Sequence, residues 1–399
     1  MKVLMFGWEF PPFNSGGLGT ACYGLTKALS RNKVEVTFVL PRTEEVKSEF
    51  VKLIPAEDSS LTMVEIDSPL IGYVSSKEYQ SERHALGGHR SIYGKNLFAE
   101  VERYARKAAS IAAKYKHDII HAHDWLTYKA ALKAKEVSGK PLVVHVHATE
   151  FDRTGGNGVH QYVYEIEKEG MRKADAIIAV SNYTKKKIVE HYGINPHKIT
   201  VVHNGVDLNK THFDNTKQGL FNHKVVLFLG RITLQKGPDY FLYAAKKILD
   251  YNRNVAFVIA GNGDMQPFLM EKAAELGIAD KVLFTGFLRG EDIDKAYQMA
   301  DVYVMPSVSE PFGIAPLEAI RNGTPAIISK QSGVSEVLTH CLKVDFWDVH
   351  ELANKIIGVL EYKELQQELR ENSAKELPKF DWDGPAQRCT ELYTKLTKT

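Results

Sequence analysis

Short apolar runs alternate with longer amphipathic stretches from one end of the chain to the other. KVLMFG (2–7), VEVTFVL (34–40), DIIHAH (118–123), PLVVHVH (141–147), AIIAVS (176–181) and ITVVHNG (199–205) read as strands; ACYGLTKALSR and FAEVERYARKAASIAAKY read as helices between them. Parallel strands covered by helices on both faces carry near-continuous apolar runs rather than alternation. This part of the chain is therefore expected to form a doubly wound α/β half. A polar segment without periodicity, NGVDLNKTHFDNTKQGLFNH (204–223), reads as a linker, and the pattern then restarts. KVVLFLGRI (224–232), NVAFVIAGNGD (254–264), KVLFTGF (281–287), ADVYVMPS (300–307) and TPAIISK (324–330) are the strands of a second half. The expected divisions are 1–207, 208–378 and a terminal helical segment, 379–399. In that last segment Asp383 is the expected helix cap, Pro385 fits a first helical turn, and a break is expected near Pro378.

Composition narrows the function. A chain of 399 residues exceeds one ordinary core, in keeping with two domains. With 44% hydrophobic and 25% charged residues it has the make-up of a soluble globular enzyme. A net charge of +2 is no footprint of nucleic-acid binding. Cys22, Cys341 and Cys389 are scattered, with neither metal-ligand nor disulfide-framework spacing, so a reducing cytoplasm is expected. The N-terminus reads as a folded strand rather than a signal peptide, and no apolar stretch approaches the ~20 residues that span a bilayer.

Ligands of doubly wound sheets bind beyond the carboxyl ends of the strands, and the chemically interesting residues follow strands here. Gly16-Gly17-Leu18-Gly19 comes after the first strand and opens a helix, a place where bare backbone and a helix N-terminus hold phosphate. The order is not G-x-G-x-x-G, so it is no nicotinamide fingerprint, and a structural turn is the competing reading. HAHDW (121–125) offers a His-x-His-Asp cluster that fits either a metal or the polar lining of a substrate pocket; the lining is the expectation. His147 ends the next strand, followed by Glu150, Asp152 and Arg153. In LGRITLQKG, Arg231 and Lys236 flank a glycine turn and suit a diphosphate. SEPFGIAPLEA places Glu310 and Glu318 around a Pro-Phe-Gly turn, where Glu310 and the N–H groups of Phe312, Gly313 and Ile314 suit sugar hydroxyls and Glu318 suits a ribose. A nucleoside diphosphate leaves a sugar readily when its growing charge is stabilised, which Arg231, Lys236 and the Gly17 backbone can do.

Together, GGLG, HAHDW, His147, VSNYT, HNGVD, GRITLQKG and the E-x7-E segment resemble the retaining GT-B glycosyltransferases, specifically family 4 and its relatives the glycogen and starch synthases, over essentially the whole chain. The resemblance implies two Rossmann-like domains facing a central cleft, a nucleotide-sugar donor held mainly by the C-terminal one, transfer with retention of configuration, a final helix that crosses back to the N-terminal domain, and no metal or other cofactor. Carried over, Gly16 and Gly17 meet the donor phosphates, His147 the donor sugar, Arg231 and Lys236 the diphosphate, Glu310 with Phe312, Gly313 and Ile314 the sugar hydroxyls, and Glu318 the ribose. Gly286, Phe287 and Leu288 line the base pocket, and Asp124 and Trp125 lie on the acceptor side. Asn14 stands where glucan synthases usually carry a lysine, which points to a broader family 4 reading.

The expected function is transfer of a hexose, foremost glucose, from UDP- or ADP-glucose to a saccharide or other hydroxyl acceptor, α-glucan synthesis included. The rivals are a nucleotide-sugar 2-epimerase on the same fold, a transferase acting on a lipid-linked acceptor, a phosphorylase and a non-catalytic sugar-nucleotide binding protein. Lys185, Lys186 and Lys187 read as the solvated face of a helix rather than a membrane-docking patch.

Overall fold

A computed structural model describes residues 1–11, 17–41, 52–55, 97–156, 158–208 and 223–398. They form two compact units, one running to Gly205 and taking in the terminal segment from Trp382, the other Val206–Asp381. Most of the predicted linker, 209–222, lies outside the described residues.

The first unit is built on a parallel sheet of seven strands: β1 Lys2–Phe6, β2 Glu35–Leu40, β3 Lys52–Pro55, β4 Ile119–His123, β5 Leu142–Val146, β6 Ala176–Ala179 and β7 Ile199–Val201. Their spatial order is β3-β2-β1-β4-β5-β6-β7. The second unit's parallel sheet has six: β8 Lys224–Leu229, β9 Val255–Ala260, β10 Val282–Gly286, β11 Val302–Met305, β12 Ala326–Ser329 and β13 Leu342–Val344, in the order β10-β9-β8-β11-β12-β13. In each sheet the direction of winding reverses once, between β1 and β4 and between β8 and β11. The loops leaving these four strands are the switch points at which such sheets bind ligands.

The predicted strands are all present. Two further ones, β3 and β13, were not legible in the pattern. Both are edge strands, and KLIP and LKV are too short and too mixed to stand out.

β4 explains the burial of two histidines. It lies between β1 and β5, and all five of its residues are buried. His123 is in register with His145 of β5. Residues two apart on a strand share a face, so His121, His123 and His145 line one side of the sheet, with His147 just beyond.

The terminal helix Asp383–Thr397 packs on the helix Gly17–Arg31, as expected. The Trp382 indole occupies the space that a Cβ on Gly24 would need, 2.2 Å from its Nε1. Asp383 does not cap this helix. It is the first helical residue, and its carboxylate accepts from Arg31 Nε at 3.0 Å. The break near Pro378 is a 3-10 turn over Leu377–Phe380. No described helix is long and apolar enough to cross a membrane.

Candidate active site

In the first unit the site begins where β4 ends. Asp124 has φ 58°, one of two described non-glycine residues with positive φ. Such a conformation costs about 1–3 kcal/mol and persists only when its surroundings enforce it. Here its Oδ1 accepts from the backbone N–H groups of His147 at 2.7 Å and Ala148 at 3.3 Å. The carboxylate thus fixes the chain just after β5. Burial pushes its pKa up to about 6, against the opposing pull of Arg153 and those two N–H groups. Trp125 next to it is in the core, 1% exposed, against Phe98.

His147 is half-buried, and its Nε2 lies 2.9 Å from His123 Nδ1. A parallel contact, 3.3 Å, joins His121 Nε2 to His145 Nδ1, and His121 Nδ1 meets the Tyr393 hydroxyl of the terminal helix. The rings stack in two pairs, His121 on His123 at 4.4 Å and His145 on His147 at 4.2 Å. Burial holds all four imidazoles below their ordinary value, so they are neutral at pH 7.

His121, His123 and His145 each bring one ring nitrogen within 4.8 Å of the others, the described group best suited to a metal. A cation ~2.0–2.1 Å from an imidazole nitrogen lies along its in-plane lone pair. The planes of His121 and His123 are 19° from parallel. Two rings stacked in this way present their nitrogens side by side and not to a common point, so metal capture requires at least one of them to turn.

The chain after His147 is held by buried charge. Thr149 N and Oγ1 both donate to Asp152 Oδ2, at 2.8 and 2.7 Å, closing the short helix Glu150–Arg153. Arg153 donates to Glu150 Oε2 at 3.1 Å, to Ala148 O at 3.0 Å and to Glu167. Lys187 pairs with Asp152 at 2.7 Å and so is not part of a solvated lysine face, whereas Lys186 is. Three carboxylates share two cations, and burial pushes Glu167 up to about 7. Gly17 begins its helix, exposed, with open space around it, while Gly16 lies outside the described residues.

In the second unit β8 leads through Gly230 and Arg231 into a 3-10 turn, Leu234–Lys236, and then the helix Pro238–Tyr251. Gly237 joins turn to helix at φ 62°, and a Cβ there would stand 2.2 Å from Pro306 O. Only glycine meets both demands. Lys236 Nζ lies 2.5 Å from Glu310 Oε2, which also accepts from Ser307 Oγ at 3.2 Å. Buried Gln235 ties the two loops: its Nε2 donates to Ser309 O, its carbonyl accepts from Val308 N, and its Oε1 accepts from Arg231. Arg231, Lys236 and Glu310 are thereby brought together beyond β8 and β11.

Phe312 is buried, Gly313 turns the chain at φ 101°, and Ile314 precedes the helix Ala315–Arg321. Glu318, on that helix, accepts from Tyr297 OH at 3.3 Å. Gly286 ends β10 at φ 72°, Phe287 is exposed with Arg289 over its ring, and Leu288 is half-buried.

Sequence reasoning missed Gln235, His145 and Tyr393. Gln235 sits beside Lys236 with no pattern to mark it. Tyr393 reads as an ordinary helical core residue, since nothing in a local window reports a contact 272 residues away.

Residues 15–210 match the family described as Glycosyltransferase Family 4, and residues 212–376 match Glycosyl transferases group 1. Over 98% of both chains the protein is 30% identical to an uncharacterized glycosyltransferase of Methanocaldococcus jannaschii. The chain belongs to the family 4, group 1 glycosyltransferases. It is also 26% identical to the glycogen synthase of Mycobacterium tuberculosis, over 98% of this chain and 94% of that one. In fold this glycosyltransferase is similar to sucrose-phosphate synthase of Thermosynechococcus elongatus, with a TM-score of 0.79 at 18% identity, over 99% and 98% of the two chains. Anabaena HepE, in complex with UDP and glucose, gives 0.72 at 19% identity, over 99% and 100%. The architecture is GT-B, and the enzyme is a nucleotide-sugar-dependent transferase of hexosyltransferase type.

Proposed function

We propose that the enzyme transfers glucose, with retention of configuration, from UDP- or ADP-glucose to a hydroxyl of a saccharide acceptor. The observation that carries this reading is the pairing of Lys236 with Glu310 while Gln235 holds Arg231 on the same loop, donors for a diphosphate beside an acceptor for sugar hydroxyls. The glycogen synthase relative and the UDP and glucose bound by HepE support the choice of sugar.

In the proposed reaction the bond from C1 to the β-phosphate oxygen breaks and its electron pair goes to that oxygen. Negative charge grows there, where Arg231 and Lys236 stabilise it most in the transition state. The acceptor oxygen bonds to C1 on the same face, and its proton passes to the leaving phosphate. His147, neutral, contacts the donor sugar and is not the nucleophile. Glu310 and the Phe312–Ile314 backbone hold the sugar, Glu318 the ribose, Gly286, Phe287 and Leu288 the base, and Gly16 and Gly17 the phosphates. A panel of nucleotide sugars assayed for nucleotide release, with the product anomer read by NMR, tests this reading. A β-linked product from an α-linked donor excludes retention, and release from no UDP- or ADP-hexose excludes the donor class.

A further inference from the structure

The reading of His147 as a donor-sugar contact leaves open which of its ring nitrogens carries the proton, and the neighbouring histidines decide it. A single proton is shared across the 2.9 Å contact between His123 Nδ1 and His147 Nε2. Both rings are neutral, so each has one N–H and one bare nitrogen. His123 is fully buried, and its other nitrogen, Nε2, has no hydrogen-bond partner. An orphaned buried N–H is rarer than an under-satisfied acceptor. His123 Nε2 is therefore the bare nitrogen, its proton is on Nδ1, and Nδ1–H donates to His147 Nε2.

We infer that His123 is a positioning residue that locks His147 as the Nδ1–H tautomer, so that His147 offers the sugar a hydrogen-bond donor and not a base. This rests on the proposed function only in supposing that the sugar is what His147 meets. The second pair follows the same logic. His145 Nε2 is also buried without a partner, which places its proton on Nδ1, donating to His121 Nε2. His121 then donates from Nδ1 to the Tyr393 oxygen. All four tautomers are thus set by two buried nitrogens without hydrogen-bond partners. On the backbone side Asp124, the next residue, grips the His147 N–H, so consecutive residues fix ring and main chain of the same histidine.

The test is ring-nitrogen NMR on the full-length enzyme labelled with 15N-histidine, the His147 signals being those lost in His147→Ala. The expected result is a protonated Nδ1 and an acceptor-type Nε2 on His147. A protonated Nε2 overturns the inference. His123→Asn keeps an amide donor near the Nδ1 position and is expected to retain the tautomer and most of the turnover. His123→Phe removes the donor, and is expected to release His147 into a mixture of tautomers and to lower kcat by roughly 10- to 100-fold, the scale of a misplaced reacting group. Equal tautomer populations and equal kcat in both variants also overturn it, and a circular dichroism melt of each separates loss of fold from loss of donor. If His147 shows the expected tautomer but His147→Ala keeps native turnover, the sugar-contact reading fails while the lock stands.

Discussion

Lys236 and Glu310, 74 residues apart in the chain, meet at 2.5 Å across the loops that leave β8 and β11. The pair holds an ammonium beside a carboxylate that is itself nearly buried, 9% exposed. Removing the lysine therefore does two things at once. It takes a cation from the proposed diphosphate position, and it strands a carboxylate. Lys236→Ala is expected to lower kcat by roughly 10²-fold or more, the scale of one preorganised electrostatic donor, and also to lower Tm. Arg231→Ala, whose guanidinium leans on Gln235, is expected to lose turnover with less effect on Tm. Arg231→Lys should recover only part of it, because a point charge does not reproduce a forked contact. Steady-state kinetics with calorimetry on free nucleotide separate the effects. Near-native kcat in both alanine variants removes the diphosphate from this loop.

Gly237 is the second lever. With φ 62° and a carbonyl 2.2 Å from any added Cβ, Gly237→Ala is expected to destabilise the second unit by at least about 1–3 kcal/mol, and to shift Lys236, its neighbour. Urea unfolding should show a lowered midpoint. An unchanged midpoint shows that the turn gives way without cost.

The buried titrating groups make opposite demands on pH. The four imidazoles sit below their ordinary 6.5, so the unfolded chain binds more protons than the folded one beneath that pH, and their contribution is lost as pH falls. Asp124, raised to about 6, and Glu167, raised to about 7, hold protons in the folded state that the unfolded chain has released, so their contribution is lost as pH rises through those values. Four groups outweigh two. Stability is expected to climb between pH 5 and 6.5 by up to about 2.7 kcal/mol per pH unit, two protons' worth. Glu167→Gln removes one opposing group and should steepen that climb. Urea midpoints measured at half-unit intervals check it, and a flat profile contradicts the neutral-histidine assignment.

Asp124 separates strain from grip. Asp124→Gly relieves the positive φ but abandons the His147 and Ala148 N–H groups; Asp124→Ala does neither good thing; Asp124→Asn keeps an acceptor oxygen. Activity is expected to rank Asn above Gly and Ala, while stability ranks Gly above Ala by about 1 kcal/mol or more. An alanine variant as active as the asparagine one shows that the carboxylate does not hold the loop.

Chelation is expected to leave turnover unchanged, because the stacked planes of His121 and His123 do not converge on a cation. Stoichiometric zinc lost together with activity would reverse that expectation.

Much of this was legible in the chain. Long apolar runs mark β4 and β5 because both faces of a central parallel strand are covered, and Gly237 beside Lys236 marks a turn because no other residue tolerates it. Reading the loops that follow strands also singled out Lys236 and Glu310, which the fold brings into contact, and proposed Arg231 and His147 as well. What the chain withheld were relationships set by distance in space. A window around HAHDW gives no sign that His123 faces His147, or that Asp124 turns its carboxylate onto a loop 23 residues on. Lys187 looked like one of three solvated lysines, since Asp152, its buried partner, stands 35 residues earlier.

The contact between Tyr393 and His121 also has a consequence in time. The seven strands of the first unit are all in the chain by Val201, yet the residue that covers His121 is 272 positions beyond it. At ~5–20 residues per second, synthesis separates the two by tens of seconds. From Val201 onward the nascent first unit has all the strands of its sheet but not its lid helix, and the Gly24 surface that Trp382 will occupy is uncovered. The described residues of the second unit, by contrast, run in one stretch from Val206 to Asp381, all of it made before the last helix leaves the ribosome. The half that begins first is thus finished last, and a chain that stops short of Trp382 leaves His121 without its Tyr393 partner.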